Sequence, residues 1–67
     1  MNLASVRINA GLSQSEVARR IGVDQSSVSC WEAGKRMPRA IMLVKMAELY
    51  GCSIDELMGR SVNQNSA

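Results

Sequence analysis

The sequence predicts an all-α fold of five short helices, and three observations carry that expectation. Glycines at positions 11, 22, 34, 51 and 59 each follow a segment of helical character, the place where a left-handed residue closes a helix. Ser13 followed three residues later by Glu16, and Ser53 by Glu56, read as capping boxes that satisfy the first free amides of a helix. With no Phe, one Trp and one Tyr, the core must come from Leu, Ile, Val, Met and Ala, a composition that suits short packed helices better than a sheet sandwich.

The elements follow in order. The first helix spans about 2–10, with Leu3, Val6 and Ala10 on one face. Ser13 opens the second, about 14–21, in which Val17, Ala18 and Ile21 share a face and Glu16 and Arg20 form an i,i+4 pair. Asp24 is placed to cap the third, about 25–33. Pro38 suits the turn before the fourth, about 40–50, whose Leu43, Met46, Ala47 and Tyr50 recur at helical spacing. Ser53 opens the fifth, about 54–58. No alternating strand pattern or internal repeat is present. Residues 1–59 form the expected domain, and 60–67 a polar tail expected to be flexible.

Composition narrows the function classes. A chain of 67 residues is one domain that buries only about 60% of its unfolded surface. The longest apolar run, Ala40 to Val44, is far short of the roughly 18 residues of a membrane span. The N-terminus does not resemble a secretory signal, so a cytoplasmic location is expected. Cys30 and Cys52 are too few for a disulfide framework, and without His a metal site is not expected. No cofactor motif is present. The lack of His, of a Gly-rich phosphate loop and of clustered carboxylates argues against an enzyme. The formal charge of +2 is uneven. Arg7, Arg19, Arg20, Lys35, Arg36 and Arg39 against Glu16, Asp24 and Glu32 make residues 1–39 +3. Lys45 and Arg60 against Glu48, Asp55 and Glu56 make residues 40–67 −1. The bias suits an anionic partner.

The second and third helices are joined only by Gly22, Val23 and Asp24, too short for an antiparallel hairpin with full overlap. A steep crossing through a short Gly-containing turn is the helix-turn-helix arrangement, whose second helix can enter the major groove of DNA. At about 100° per residue from Gln25, the third helix divides into two faces. Ser27, Val28, Trp31 and Glu32 occupy one side, with Val28 and Trp31 as core anchors. Gln25, Ser26, Ser29, Cys30 and Ala33 occupy the other. That second face is too polar for a core and lacks the long charged chains of an ordinary solvated face. Short side chains let a helix approach base edges closely, Gln can pair with adenine through two hydrogen bonds, and Ser can donate or accept. A merely exposed Ser-rich helix is the alternative reading of the same wheel.

The stretch from Gly11 to Pro38, "GLSQSEVARRIGVDQSSVSCWEAGKRMP", resembles the XRE-type helix-turn-helix family, which includes the lambdoid phage repressors and Cro proteins. Arg7, Gly11, Leu12, Ser13, Gln14, Val17, Ala18, Gly22, Val23, Val28, Glu32, Gly34, Lys35 and Pro38 all stand in the family's register. With the ending "LYGCSIDEL", the similarity covers residues 3–58. It implies a lambda-repressor-like DNA-binding fold with the helix-turn-helix in helices 2 and 3. It also implies base contacts from Gln25, Ser26, Ser29 and Cys30, and phosphate contacts from Gln14, Ser27, Lys35, Arg36 and Arg39. Gln14 would in addition brace the first base-reading side chain. Arg7 and Glu32 match a partly buried ion pair tying the first helix to the third.

Three positions depart from the pattern. Arg39 stands where the family has a capping Ser or Thr. Cys30 replaces a longer polar residue and could meet a thymine methyl, stay idle or sense redox state. Cys52 replaces Val and reads as a small buried hydrophobe.

One such unit makes few contacts for a specific site at physiological salt, so a homodimer on a pseudo-palindromic operator is expected. Ile41, Met42, Leu49 and Met58 exceed what one apolar stripe needs. The family's pairing through its fifth helix points to Ile54, Leu57 and Met58 as the interface. Double-stranded DNA is the expected partner, with no membrane and no small-molecule ligand, and the expected role is a transcriptional repressor. A protein-interaction module of the same fold, partner to a toxin or a larger regulator, is the competing hypothesis.

Overall fold

A computed structural model of the chain describes residues 2–59; the tail expected at 60–67 lies outside them. The five helices are α1 (Leu3–Asn9), α2 (Gln14–Ile21), α3 (Gln25–Glu32), α4 (Ala40–Tyr50) and α5 (Ile54–Leu57), and no strand occurs among the described residues. The expected α1, α3 and α5 each extend one residue too far at the C-terminus. Ala10, Ala33 and Met58 are right-handed cap residues there, and the following glycine amide bonds back only three residues, as from Gly34 to the Trp31 carbonyl at 3.2 Å. A tightened last turn of this kind is common at helix ends.

All five glycines have φ between 71° and 81°. The consequence is clearest at Gly22, in the turn between α2 and α3. Its φ of 81° and ψ of 38° let both its own amide and that of Val23 reach the Ala18 carbonyl at 2.9 Å. The chain leaves α2 in a fresh direction after three residues, and this sets the crossing with α3.

Capping differs from expectation in two places. The Ser53–Glu56 box is complete: the Ser53 Oγ accepts from the Glu56 amide at 3.1 Å, and Glu56 Oε1 accepts from the Ser53 amide at 2.9 Å. At α2 only half of the box forms. Ser13 Oγ accepts from the Glu16 amide at 3.0 Å, while the Glu16 carboxylate turns to Arg19 at 2.9 Å and Arg20 at 3.4 Å. A cation draws that carboxylate more strongly than a neutral amide does. Asp24, the expected cap of α3, makes no side-chain cap bond.

Leu3, Val17, Ala18, Ile21, Val28, Met46, Ala47 and Leu57 form the buried core, so every helix contributes at least one side chain. Burying a Val or Leu fully stabilises a fold by roughly 1.5–3 kcal/mol, and Val17 and Leu57 are wholly inaccessible. The two ends of the domain meet where the Asn2 amide donates to the Leu57 carbonyl at 2.9 Å. Because Leu57 is spent on the core, it offers no surface to a second chain. This corrects its expected place in a dimer interface. Ile54 remains 40% exposed and Met58 half-buried. No helix of the described residues is long and apolar enough to cross a membrane.

Candidate nucleic-acid interface

Helix α3 is fixed from behind. Val28 is 1% exposed, and one turn of helix later Glu32 receives Arg7 through two nitrogens, Nε to Oε2 at 2.7 Å and Nη2 to Oε1 at 3.1 Å. Arg7 also donates through Nη1 to the Leu12 carbonyl at 2.9 Å, just before α2. The expected ion pair therefore forms, and one guanidinium links α1, α3 and the chain leading into α2. Burial opposes charge on Glu32, but hydrogen bonds from Arg7 and Gln14, together with the Arg7 charge, hold its pKa below the usual carboxylate value. The Glu32 hydrogen bond raises the Arg7 pKa against a smaller burial penalty.

Gln14 has a partner that sequence reasoning did not foresee. Its Nε2 donates to Glu32 Oε1 at 2.9 Å, so its amide braces the carboxylate at the end of α3 and not Gln25 at its start. A carboxylate is the stronger acceptor for an amide N–H. Another unforeseen group is the Tyr50 hydroxyl, buried without a hydrogen-bond partner among the described residues. Burial first, and then the Glu32 charge, push its pKa up to about 12. Burial likewise raises the Cys52 thiol, which packs half-buried against the core as a small hydrophobe.

The opposite face of α3 is open. Gln25, Ser26, Ser29 and Ala33 are exposed and Cys30 is half-buried. Among the described residues, the side chains of Gln25, Ser26, Ser29 and Cys30 hydrogen-bond to no protein atom. The face therefore presents donors and acceptors to whatever approaches α3.

Cations flank it. Lys35, Arg36 and Arg39 are exposed, and the ion pairs among the described residues engage Arg7, Arg19 and Arg20 instead. The expected phosphate-contacting residues separate into three places. Ser27, Arg36 and Arg39 line one cleft of about 290 Å³, together with Trp31, Met37 and Met42. Lys35 sits in the turn closing α3, where its amide bonds the Cys30 carbonyl at 3.0 Å. Gln14 belongs to the Glu32 cluster on α2.

Trp31 is also more than the expected core anchor: it is half-buried and forms a wall of that cleft. Its place on the helical wheel between Ser27 and Val28 was the available sign.

Comparison with known proteins agrees with this geometry. The helix-turn-helix family model matches residues 3–57. An uncharacterized HTH-type transcriptional regulator, y4dJ of Sinorhizobium fredii, is 40% identical over 57 residues, which are 85% of this chain and 74% of that protein. The cryptic phage CTXphi transcriptional repressor RstR of Vibrio cholerae is 34% identical over 88% of this chain and 53% of its own length. The HTH-type transcriptional regulator ImmR of Bacillus subtilis is 33% identical over 87% of this chain and 46% of its own. The chain thus spans about half the length of these last two relatives. No solved structure gives a significant match. With a family match over five helices, a Gly22 turn between α2 and α3, and an open polar face on α3, the chain belongs to the XRE-type helix-turn-helix family.

Proposed function

We propose that the chain is a sequence-specific double-stranded DNA-binding transcriptional repressor that places α3 in the major groove. The observation that carries this reading is the uncharged, open face of Gln25, Ser26, Ser29 and Cys30, flanked by the cations Lys35, Arg36 and Arg39, which join no ion pair among the described residues. Short polar side chains suit base-edge readout, and flanking cations suit phosphate. Relatives named as transcriptional regulators and a phage transcriptional repressor support the regulatory role.

The repressor acts as a homodimer on a pseudo-palindrome with half-sites about 10 base pairs apart, one turn of duplex. Ile54 and Met58 on and beside α5 are the residues available for the pairing, Ile54 being the more exposed.

Selection of bound sites from a random duplex pool tests the proposal. A two-fold-related consensus with about that spacing is the expected result. Failure to enrich any sequence would overturn it in favour of a protein-interaction module of the same fold.

A further inference from the structure

We propose that the outer face of α4 docks on the same face of a second copy of the chain, the two helices antiparallel, in a contact separate from the pairing at Ile54 and Met58. Of the 11 residues of α4, only Lys45 and Glu48 are charged, and apart from Tyr50 the rest are apolar. A helix apolar on nearly every side belongs in an interior. Yet only Met46 and Ala47 are buried, on the side that packs against α2 and α5, while Ile41 remains 54% and Val44 38% exposed.

The open side has a definite make-up. At about 100° per residue from Ala40, Val44, Glu48, Ile41, Lys45 and Leu49 fall at about 40°, 80°, 100°, 140° and 180°, opposite Met46 and Ala47 at about 240° and 340°. Lys45 and Glu48 are exposed, and neither joins an ion pair among the described residues. With Leu49 they line a groove of about 430 Å³ between α4 and α2, where Ile21 is buried, Leu49 half-buried and Arg20 exposed. This groove shares no residue with the cleft beside α3.

The order of the side chains selects the occupant. From Val44 to Leu49 they read apolar, cation, two core residues, carboxylate, apolar. Turned end for end, the same order sets apolar against apolar and cation against carboxylate. A two-fold axis between Met46 and Ala47 places Val44 against the partner's Leu49 and Lys45 against the partner's Glu48, and each contact occurs twice. A uniformly acidic or basic partner would satisfy one of the two charges and oppose the other; a second copy satisfies both.

Few side chains take part, against the roughly 20–30 a side of a standard interface, so the association is weak, with a dissociation constant on the order of 1 mM. It acts where copies are already held close together. Two different two-fold faces on one chain join dimers into longer assemblies.

The contact does not depend on the DNA-binding reading, and its test uses no DNA. The full chain carrying Ile54→Lys, in which α5 no longer pairs, is followed by NMR from micromolar to millimolar concentration. Shifts centred on Val44, Lys45, Glu48 and Leu49 are expected, with a NOE from the Val44 methyls of one copy to the Leu49 methyls of another in a mixed-label sample. The association is too weak to register in sedimentation at micromolar concentration. Lys45→Glu alone and Glu48→Lys alone should each weaken it about tenfold, because the two-fold axis repeats every repulsion. The chain with both reversals, and an equimolar mixture of the two single variants, should each restore it to within about twofold.

Resonances that ignore concentration would overturn the proposal. So would an association that shifts a different face, or one that a single reversal weakens and neither the double reversal nor the mixture restores, since the charges would then not meet across copies. Melting curves establish that each variant folds. If one does not, the Val44–Leu49 NOE, sought equally in the unaltered chain, decides.

Discussion

Glu32 is held by Arg7 through two guanidinium nitrogens at 2.7 Å and 3.1 Å across 25 residues of chain, and the two side chains are only 7% and 14% exposed. A pair this well shielded is costly to break from one side, since the survivor keeps its charge without its partner. Arg7→Ala is expected to destabilise the fold by about 3 kcal/mol and Glu32→Gln by about 2 kcal/mol, less because Gln keeps the shape and part of the hydrogen bonding. Urea unfolding measures both. Losses below about 0.5 kcal/mol, the level of an exposed pair, would mean that the link does not hold α3.

The same cluster predicts how stability varies with pH. A carboxylate whose pKa is lower in the folded chain stabilises the fold while ionised. The Glu32 contribution is therefore complete above the unfolded carboxylate value of about 4.3 and is lost as pH falls through the folded value. Tyr50 works in the other sense. Its raised pKa stabilises the fold while the phenol is protonated, fully below the unfolded value of about 10, and the contribution is lost as pH rises from there through about 12. Urea midpoints should be level across neutral pH and fall at both ends. Glu32→Gln should soften the acid limb and Tyr50→Phe the alkaline one. Tyr50→Phe should also cost nothing at neutral pH, since the hydroxyl it removes is buried without a partner among the described residues. A loss there of more than about 1 kcal/mol would show that the hydroxyl is bonded.

Gly22 tests the turn. A Cβ added there would meet no other atom within 4 Å, yet the φ of 81° remains unfavourable for an L side chain. Gly22→Ala is expected to cost about 1 kcal/mol through backbone strain alone, and Gly22→Asn less, since Asn tolerates the left-handed region. In a domain of this size that is a fall in Tm of about 4–8 °C for Ala. Equal effects of Ala and Asn would point away from backbone strain.

Two neighbours on α5 should separate folding from pairing. Leu57→Ala opens a cavity in the core and is expected to cost about 2–5 kcal/mol. Ile54→Lys sits on the surface and should leave the melting curve nearly unchanged while abolishing self-association in sedimentation. Sedimentation that shows a monomer for the unaltered chain at all concentrations, with and without DNA, would contradict the dimer.

Much of this architecture could be read from the sequence because it is written in local signals. Glycine punctuation, the Ser53–Glu56 box and the Leu43, Met46, Ala47, Tyr50 stripe each depend on residues within one or two turns. What escaped depended on groups brought together from far along the chain. Gln14 could be placed at the start of α2, but its choice of Glu32 over Gln25 is settled by where α3 ends in space. Leu57 was expected at an interface from the family's pairing through its fifth helix, and α5, with four residues, has no periodicity that would have placed it in the core instead. Trp31 was assigned by the helical wheel to the core side of α3, whereas its place beside Ser27 leaves it forming a cleft wall. The open face of α3 was legible for the opposite reason: the side chains of Gln25, Ser26, Ser29 and Cys30 hydrogen-bond to nothing among the described residues.

The salt dependence of binding to a duplex selected from the random pool tests the central claim most directly. The log of affinity should fall linearly with the log of salt concentration, Arg36→Ala should reduce the slope by about 1, and Gln25→Ala should change base preference while leaving the slope alone. Binding that ignores salt, or that responds to Arg36→Ala and Gln25→Ala in the same way, would contradict an α3 that reads bases between cationic phosphate contacts.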